Sequence, residues 1–215
     1  FRDSRIGTTQ RLLQWMEAQP VRPRVLVSGS AIGYYGPRDD APVNEDAPAG
    51  SDFAAQLCRD WEAEALRAQA LGLRVCTVRI GVVLGKDGGA LAKMLPPFKL
   101  GAGGPMGDGR QWMSWVHRQD LVRLILWLLE HEHTQGAYNG TAPTPLRNRD
   151  FAHTLGKVLH RPAVLTTPAI ALKLMFGEMS TLLLTGQQVV PVRAQAEGFV
   201  FEHPELEAAL RDLLE

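Results

Sequence analysis

Arg24-Val-Leu-Val-Ser-Gly-Ser-Ala-Ile-Gly-Tyr-Tyr-Gly36 is the stretch on which the fold turns. Its β-branched start shows no alternation of polar and apolar residues, which is how a strand covered on both faces reads. Gly29, Gly33 and Gly36 then open it into a loop. Upstream, Ser4–Met16 carries Ile6, Leu12, Leu13 and Met16 on a rough helical face, and Pro20 and Pro23 end it. Downstream, Pro37 to Gly50 is polar and rich in proline and aspartate, so it reads as loop. Asp52 is placed to cap a helix with Phe53, Leu57 and Trp61 at four-residue spacing, running to about Ala70 before Gly72. Arg74–Arg79 is the next strand and continues towards Val82–Leu84. Helix, strand, loop, helix, strand, with strands that do not alternate, is the pattern of a parallel sheet with helices on its faces.

Beyond Leu84 the pattern loosens. Gly85 to Gly109 holds eight glycines and three prolines around one helical window, Ala90–Leu95. Long irregular stretches in compact domains usually serve function, so this one is a candidate functional segment. Trp112–Val116 reads as one short strand, Gln119–Glu130 as a strongly apolar helix and Tyr138–Thr141 as another strand. Asn148 is placed to cap a helix with Phe151, Leu155, Val158 and Leu159 on one face, and a strand around Leu165 is expected after it. Ile170–Leu184 is apolar, and His203-Pro204-Glu205 opens a terminal helix buried through Leu206, Leu210 and Leu213.

With 215 residues and 45% apolar composition the chain is long enough for a sizeable core. Lys plus Arg is 23 and Asp plus Glu is 23, so the formal charge is zero. The basic footprint expected for nucleic acid or an anionic membrane is absent, which points to a small-molecule ligand. Neither Leu121–Leu129 nor Pro168–Leu184 is an uncharged run of the roughly 20 residues a membrane span needs. Cys58 and Cys76 form neither a disulfide framework nor a metal spacing, and no signal peptide is present, so a reducing, cytoplasmic setting is expected. The first residue is Phe1 rather than Met, which marks the chain as a fragment in expectation.

Several motifs dissolve on inspection. Gly29-Ser-Ala-Ile-Gly33 has its serine in the wrong place for a nucleophile elbow. Gly81 to Lys86 is one residue short of a P-loop and carries Asp87 where the hydroxyl residue belongs. His131-x-His133 near a helix end has no third ligand close in sequence and answers to the helix dipole, so no metal site is expected. Asp39-Asp40 reads as a solvated loop pair, and Trp112, Trp115 and Trp127 as core and pocket wall. The hydroxyls of Ser30, Tyr34 and Tyr35 stand at the carboxyl end of a parallel strand, where open α/β sheets bind ligands, though a structural turn explains them equally.

Six ordered pieces resemble the extended short-chain dehydrogenase/reductase superfamily: Val27 to Gly36, Val43-Asn-Glu-Asp-Ala-Pro48, Arg79-Ile-Gly-Val-Val-Leu-Gly85, Gly107-Asp-Gly-Arg-Gln111, Trp115-Val-His-Arg-Gln-Asp120, and Tyr138-Asn-Gly-Thr141 with the helix ending at Arg161-Pro162. The tail, from Gly177-Glu-Met through Gly186-Gln-Gln-Val-Val-Pro191 to Glu197-Gly-Phe-Val-Phe201, is similar to the extension of the epimerase family proteins, an atypical branch of mostly unassigned activity. The resemblance implies an α/β fold: the C-terminal part of a Rossmann-type doubly wound parallel sheet, a small mixed substrate-side region and a helical extension. Residues 1–95 are then the second half of the dinucleotide-binding domain, 96–167 the substrate-side region with the last Rossmann elements, and 168–215 the extension.

It further implies an NADP(H) cofactor, with NAD(H) as the alternative. Ser28, Gly29, Ser30, Arg79, Ile80, Gly81, Val82 and Val83 would line that cofactor, with Ser30 as the active-site serine. Lys93, Gly109, Arg110, Gln111 and His117 fall on the substrate side, His117 also being suited to bracing the strand–helix corner, and Asp120 to anchoring the helix. A monomer or a homodimer is implied, pairing in relatives running through helices that correspond to Ser4–Met16 and Asp52–Ala70.

Two departures stand out. The glycine-rich dinucleotide fingerprint is absent, as if about 80–90 upstream residues, three strand–helix steps, were missing. A sheet without them exposes apolar edges, so the isolated chain is expected to be unstable. The superfamily's Tyr-x-x-x-Lys pair is also absent: Phe53-Ala-Ala-Gln-Leu57 stands there, with Ala54 and Cys58 as the neighbouring register. Phenylalanine cannot relay a proton. Two readings follow. In one, an oxidoreductase or epimerase-like enzyme uses Tyr34 or Tyr35 as the substitute acid while Ser30 orients the substrate carbonyl. In the other, a catalytically lapsed NADP(H)-binding module serves as a sensor or partner protein.

Overall fold

β1 (Val25–Ala31), β2 (Arg74–Ile80) and β6 (Gly136–Gly140) run parallel in the order β1-β2-β6. The register sets Ser30 beside Arg79 and Arg79 beside Asn139, so the carboxyl ends Ala31, Ile80 and Gly140 lie abreast. The computed structural model describes the backbone of residues 1–215 and every side chain except those of Phe176, Glu178, Met179 and Leu182. The Gly177-Glu-Met stretch is therefore described by its backbone, the side chains of Glu178 and Met179 lying outside the described residues.

Helices cover both faces, as the unalternating strands require. α1 (Thr8–Glu17) sets Leu13 and Met16 against Ala68, Leu73 and Val75. α2 (Phe53–Leu66) starts where expected, because the Asp52 side chain accepts from Ala55 N. α4 (Arg118–Glu130) packs Leu121, Leu124 and Leu128 against Cys76, Val78 and Tyr138, with Phe199 and Phe201 of the C-terminal region closing that core. Complete burial of one such leucine side chain contributes about 1.5–3 kcal/mol.

A second core lies past the strand ends. β3 (Val82–Gly85), α3 (Gly89–Lys99), β4 (Trp112–Met113), β5 (Trp115–His117), β7 (Leu146–Arg147) and α5 (Asn148–Val158) gather Leu84, Leu91, Trp115, Phe151 and Leu155 around it. α6 (Ala169–Phe176), α7 (Thr181–Leu184), α8 (Val192–Ala196) and α9 (Leu206–Leu214) follow, and Leu206, Leu210 and Leu213 seal the same core. Among the described residues no helix is long and apolar enough to cross a membrane.

Four expectations are corrected here. The single strand over Trp112–Val116 is two, divided at Ser114: β4 pairs antiparallel with β7, and β5 pairs parallel with β3. Asn148 is not a cap. It is the first residue of α5, and its side chain accepts from Met106 N at 2.7 Å while its amide faces Met113 Sδ. No strand forms at Leu165, the nearest pairing being a single bridge between Met106 and Thr167. Finally, α3 runs on through Pro96 and Pro97, because Leu91, Leu95 and Phe98 bury one face and outweigh the missing N–H groups of its last turn.

Candidate functional site

A buried polar chain runs beneath the carboxyl ends of the sheet. Ser30 Oγ donates to Glu62 Oε1 at 2.6 Å. Arg79 grips Glu62 with two parallel bonds, Nε to Oε1 and Nη2 to Oε2, each 2.9 Å. Its Nη1 donates to the Tyr35 hydroxyl at 2.9 Å and to the Glu45 carbonyl at 3.0 Å. Tyr35 in turn donates to Asn139 Oδ1 at 2.6 Å, and Asn139 Nδ2 donates to the Val190 carbonyl at 2.9 Å. Ser30, Tyr35, Glu45, Glu62, Arg79 and Asn139 are all buried. Burial works against the Arg79 charge, but the Glu62 hydrogen bonds and charge outweigh it and hold the guanidinium's proton more firmly than usual. Burial also pushes the Tyr35 phenol up to about 12, against the pull of Arg79.

This arrangement bears on three roles expected from the sequence. Arg79 has no side-chain surface to offer a cofactor, since its guanidinium is held by Glu62, Tyr35 and Glu45. Tyr35 is fully buried and its hydroxyl donates to Asn139. The Ser30 hydroxyl is engaged by Glu62. Tyr34 differs: it is half-buried, and the Arg79 guanidinium lies 3.5 Å from its ring centre. Among the described residues its hydroxyl makes no hydrogen bond.

The register of α2 is settled at the turn above it. A Cβ on Gly33 would lie 3.5 Å from Ala54 Cβ and 3.9 Å from Cys58 Sγ, whereas Phe53 is largely exposed. Ala54 and Cys58, not Phe53 and Leu57, therefore occupy the face beneath the loop. Burial pushes the Cys58 thiol up, away from nucleophilic thiolate.

The C-terminal region crosses the same end of the sheet as a strap. Gln187 Nε2 donates to the Ile32 carbonyl at 2.6 Å, and Ser114 Oγ donates to the Gln187 carbonyl at 2.7 Å while accepting from Val189 N. Val43 N donates to the Gln188 carbonyl and Val190 N to the Val43 carbonyl. The loop after β1, the β4–β5 junction and the end of β6 are thereby tied to one segment.

His117 belongs to a brace at the start of α4, the structural role the sequence also offered for it. Its Nδ1 accepts from Gln119 N at 3.2 Å and caps α4. Its Nε2 lies 3.3 Å from Asp212 Oδ2, and its ring faces His203 with centroids 3.9 Å apart. His117, His203 and Asp212 bring three ligand atoms within 4.8 Å of one another. The two imidazole planes are tilted by 31° to one another, and His117 Nδ1 is already taken by Gln119 N. The Nδ1 acceptor role also leaves the ring proton on Nε2. Next to the brace, fully buried Asp120 accepts from Glu202 N, His203 N and Arg123 Nη1.

The remaining candidates scatter. Ser28 and Gly29 are half-buried on β1, as are Ile80, Gly81, Val82 and Val83 where β2 passes into β3. Gly81 must be glycine, because a Cβ there would run into the Ser114 carbonyl. Gly109, at φ +68, and exposed Arg110 form the turn before β4, and Gln111 Nε2 donates to the Met106 and Leu183 carbonyls. Lys93 is exposed on α3 and joins none of these groups.

Compared with known proteins, residues 1–139 match the NAD dependent epimerase/dehydratase family and residues 167–213 match a domain of unknown function, DUF1731. The chain belongs to the NAD dependent epimerase/dehydratase family. It is 46% identical to the Epimerase family protein SDR39U1 homolog, chloroplastic, of Arabidopsis thaliana, over 100% of this chain and 62% of that protein. It is 43% identical to Epimerase family protein SDR39U1 of Mus musculus, over 98% of this chain and 72% of that one. It also superimposes on the crystal structure of human epimerase family protein SDR39U1 (isoform 2) with NADPH, with a TM-score of 0.95 at 40% identity, covering 99% of this chain and 72% of the human one. The parallel sheet with flanking helices expected from the sequence is thus that of an epimerase/dehydratase family member.

Glu45, Glu62, Asn139 and Gln187 were not singled out by sequence. One signal was present for Glu62: it follows Cys58 by four residues and so shares the buried face of α2. A carboxylate there needs a cation, and Arg79 is the charged residue near the carboxyl end of β2, whose other charge, Arg74, stands at its start.

Proposed function

We propose that this chain is the substrate-side part of an NADP(H)-dependent short-chain dehydrogenase/reductase acting on a small molecule by hydride transfer or epimerisation. The observation that carries the reading is the superposition over 99% of the chain on a human relative crystallised with NADPH. NADPH supplies a hydride when bound. The residues here fit the nicotinamide side. Ile80, Val82 and Val83 form a half-buried apolar run at the strand ends, and Arg79 beside them is neutralised by Glu62. Ser28, Gly29 and that run would hold the ring.

The chain's own contribution is positional and acidic. The Glu62–Arg79 pair fixes β1, β2 and α2 together, and the strap holds the loop that carries Tyr34. Tyr34 Oη is the proton-bearing group assigned to the substrate. A second reading, an NADP(H)-binding module without turnover, is favoured by the start of α2, which offers no Tyr and Lys pair in either the Phe53/Leu57 or the Ala54/Cys58 register, and by Ser30 being tied to Glu62. Titration of the longest form of the protein with NADPH and NADH, followed by cofactor fluorescence, tests both. Saturable NADPH binding supports the fold-level reading, and turnover of carbonyl substrates then separates enzyme from module. No binding of either nucleotide overturns both.

A further inference from the structure

The loop after β1 and the turn before β4 both line an open cleft of about 300 Å³, together with Leu184 to Gly186 of the C-terminal region. Arg38, Arg110 and Arg147 are among its lining residues, together with Asp40 and Asp108. Arg147 is built into the wall. Its guanidinium lies 3.9 Å from the centre of the Trp112 ring, its Nη1 donates to the Arg110 carbonyl, and its side chain is 22% exposed. The group it faces is not built in. Asp40 sits on the proline- and aspartate-rich loop with its side chain 72% exposed, yet its Oδ1 accepts from Arg147 Nη2 at 2.6 Å and from Trp112 Nε1 at 3.3 Å.

A planar, aromatic-backed guanidinium with an indole N–H beside it is a receptor for a carboxylate, and an exposed loop carboxylate fills it. We propose that Arg147 and Trp112 form the subsite for a carboxylate of the substrate, and that Asp40 is an internal competitor which that carboxylate displaces. The assignment deepens the proposed function and rests on its placement of the substrate at the carboxyl end of the sheet. Arg38 links the two places, since it lines the cleft and its Nε donates to the Tyr35 carbonyl, next to Tyr34. A carboxylate is favoured over a phosphate by the group the subsite already holds. One oxygen of the planar Asp40 carboxylate accepts from both Arg147 Nη2 and Trp112 Nε1, so the spacing of the two donors suits a carboxylate.

The test is calorimetric titration of the longest form of the protein with succinate and with methyl phosphate, for wild type, Asp40→Asn and Arg147→Met. NADPH binding is measured in parallel on each. A competitor removed raises apparent affinity by the fraction of sites it held, so Asp40→Asn should tighten succinate by about 10-fold while leaving NADPH binding as it was. Arg147→Met should abolish succinate binding. Asp40→Asn is an exposed loop change, so it decides the matter even if Arg147→Met does not fold. Unchanged or weaker succinate binding in Asp40→Asn overturns the proposal, as does saturable binding in neither protein, or methyl phosphate binding as tightly as succinate. Loss of NADPH binding alone, with the succinate response intact, overturns the nucleotide reading and not this one.

Discussion

Ser30 Oγ and Arg79 Nε meet on the same oxygen, Glu62 Oε1, at 2.6 and 2.9 Å, all three side chains being buried. The serine that the family resemblance places in the active site is therefore part of an ion-pair network. Its hydroxyl orients the carboxylate that neutralises a buried arginine. Ser30→Ala removes one neutral-to-charged hydrogen bond and should cost about 1–3 kcal/mol. Glu62→Gln leaves the Arg79 charge buried with no counter-ion and should cost about 3–5 kcal/mol. Urea unfolding of both variants checks the order. A Ser30→Ala protein of unchanged stability and abolished turnover would put the hydroxyl on the substrate instead.

Adjacent tyrosines are expected to behave oppositely. Tyr35→Phe strands Asn139 Oδ1 without a donor and removes an acceptor from Arg79, so it should destabilise the protein by about 1–3 kcal/mol with little effect on turnover per folded molecule. Tyr34→Phe removes a hydroxyl that bonds to no described residue, so stability should hold. If Tyr34 is the proton relay, turnover should fall about 10²–10⁴-fold, the usual contribution of general acid catalysis. Thermal melts and single-turnover rates on the two variants separate these outcomes. Equal turnover in Tyr34→Phe and wild type would remove Tyr34 from the chemistry.

That contrast also marks the limit of what was legible in the sequence. The unalternating runs at Val25–Val27 and Arg74–Arg79, the Asp52 cap and the α4 stripe are local patterns, and each became the element it announced. Tyr34 and Tyr35 are neighbours with identical side chains, and no local pattern tells which one faces the network. That is decided by Asn139, 104 residues away from Tyr35. Asp40 and Arg147 meet for the same reason, through the fold and not through spacing. The Ser114 break between β4 and β5 escaped because a strap from residues 187–189 claims the Ser114 side chain and turns the chain there.

His117 makes stability depend on pH. Burial and the neighbouring His203 charge depress the His117 imidazole below its ordinary value of 6.5, and the smaller pull of Asp212 and Asp120 does not restore it. Below about pH 6.5 the unfolded chain takes up a proton that the folded chain resists, so stability falls as the pH drops from there towards the depressed folded value. Above pH 6.5 this contribution is fully present. His117→Asn keeps a side chain able to cap α4 and has nothing to titrate, so its stability should vary less between pH 5 and 7 than that of wild type. Unfolding midpoints across that interval check the prediction, and parallel pH curves for the two proteins would count against it.

Gly186 is where the strap depends on having no side chain. A Cβ at this position would run into the Trp112 carbonyl, a backbone atom that cannot rotate away. Gly186→Ala must therefore push the strap off β4, stretching the Gln187–Ile32 and Ser114–Val189 bonds beside it. A cost of about 1–3 kcal/mol is expected from the overpacking. The loss should be local: amide exchange should quicken at Val43, Val189 and Val190, whose N–H groups bond within the strap, before it quickens in β2. Gly88→Ala is the control, because its φ of −174° is extended backbone and no atom lies within 4 Å of its added Cβ. If Gly186→Ala speeds exchange uniformly across the sheet, the strap and the sheet unfold as one unit, and the C-terminal region is a structural part of the sheet domain and not a separable cover over its ligand-binding end.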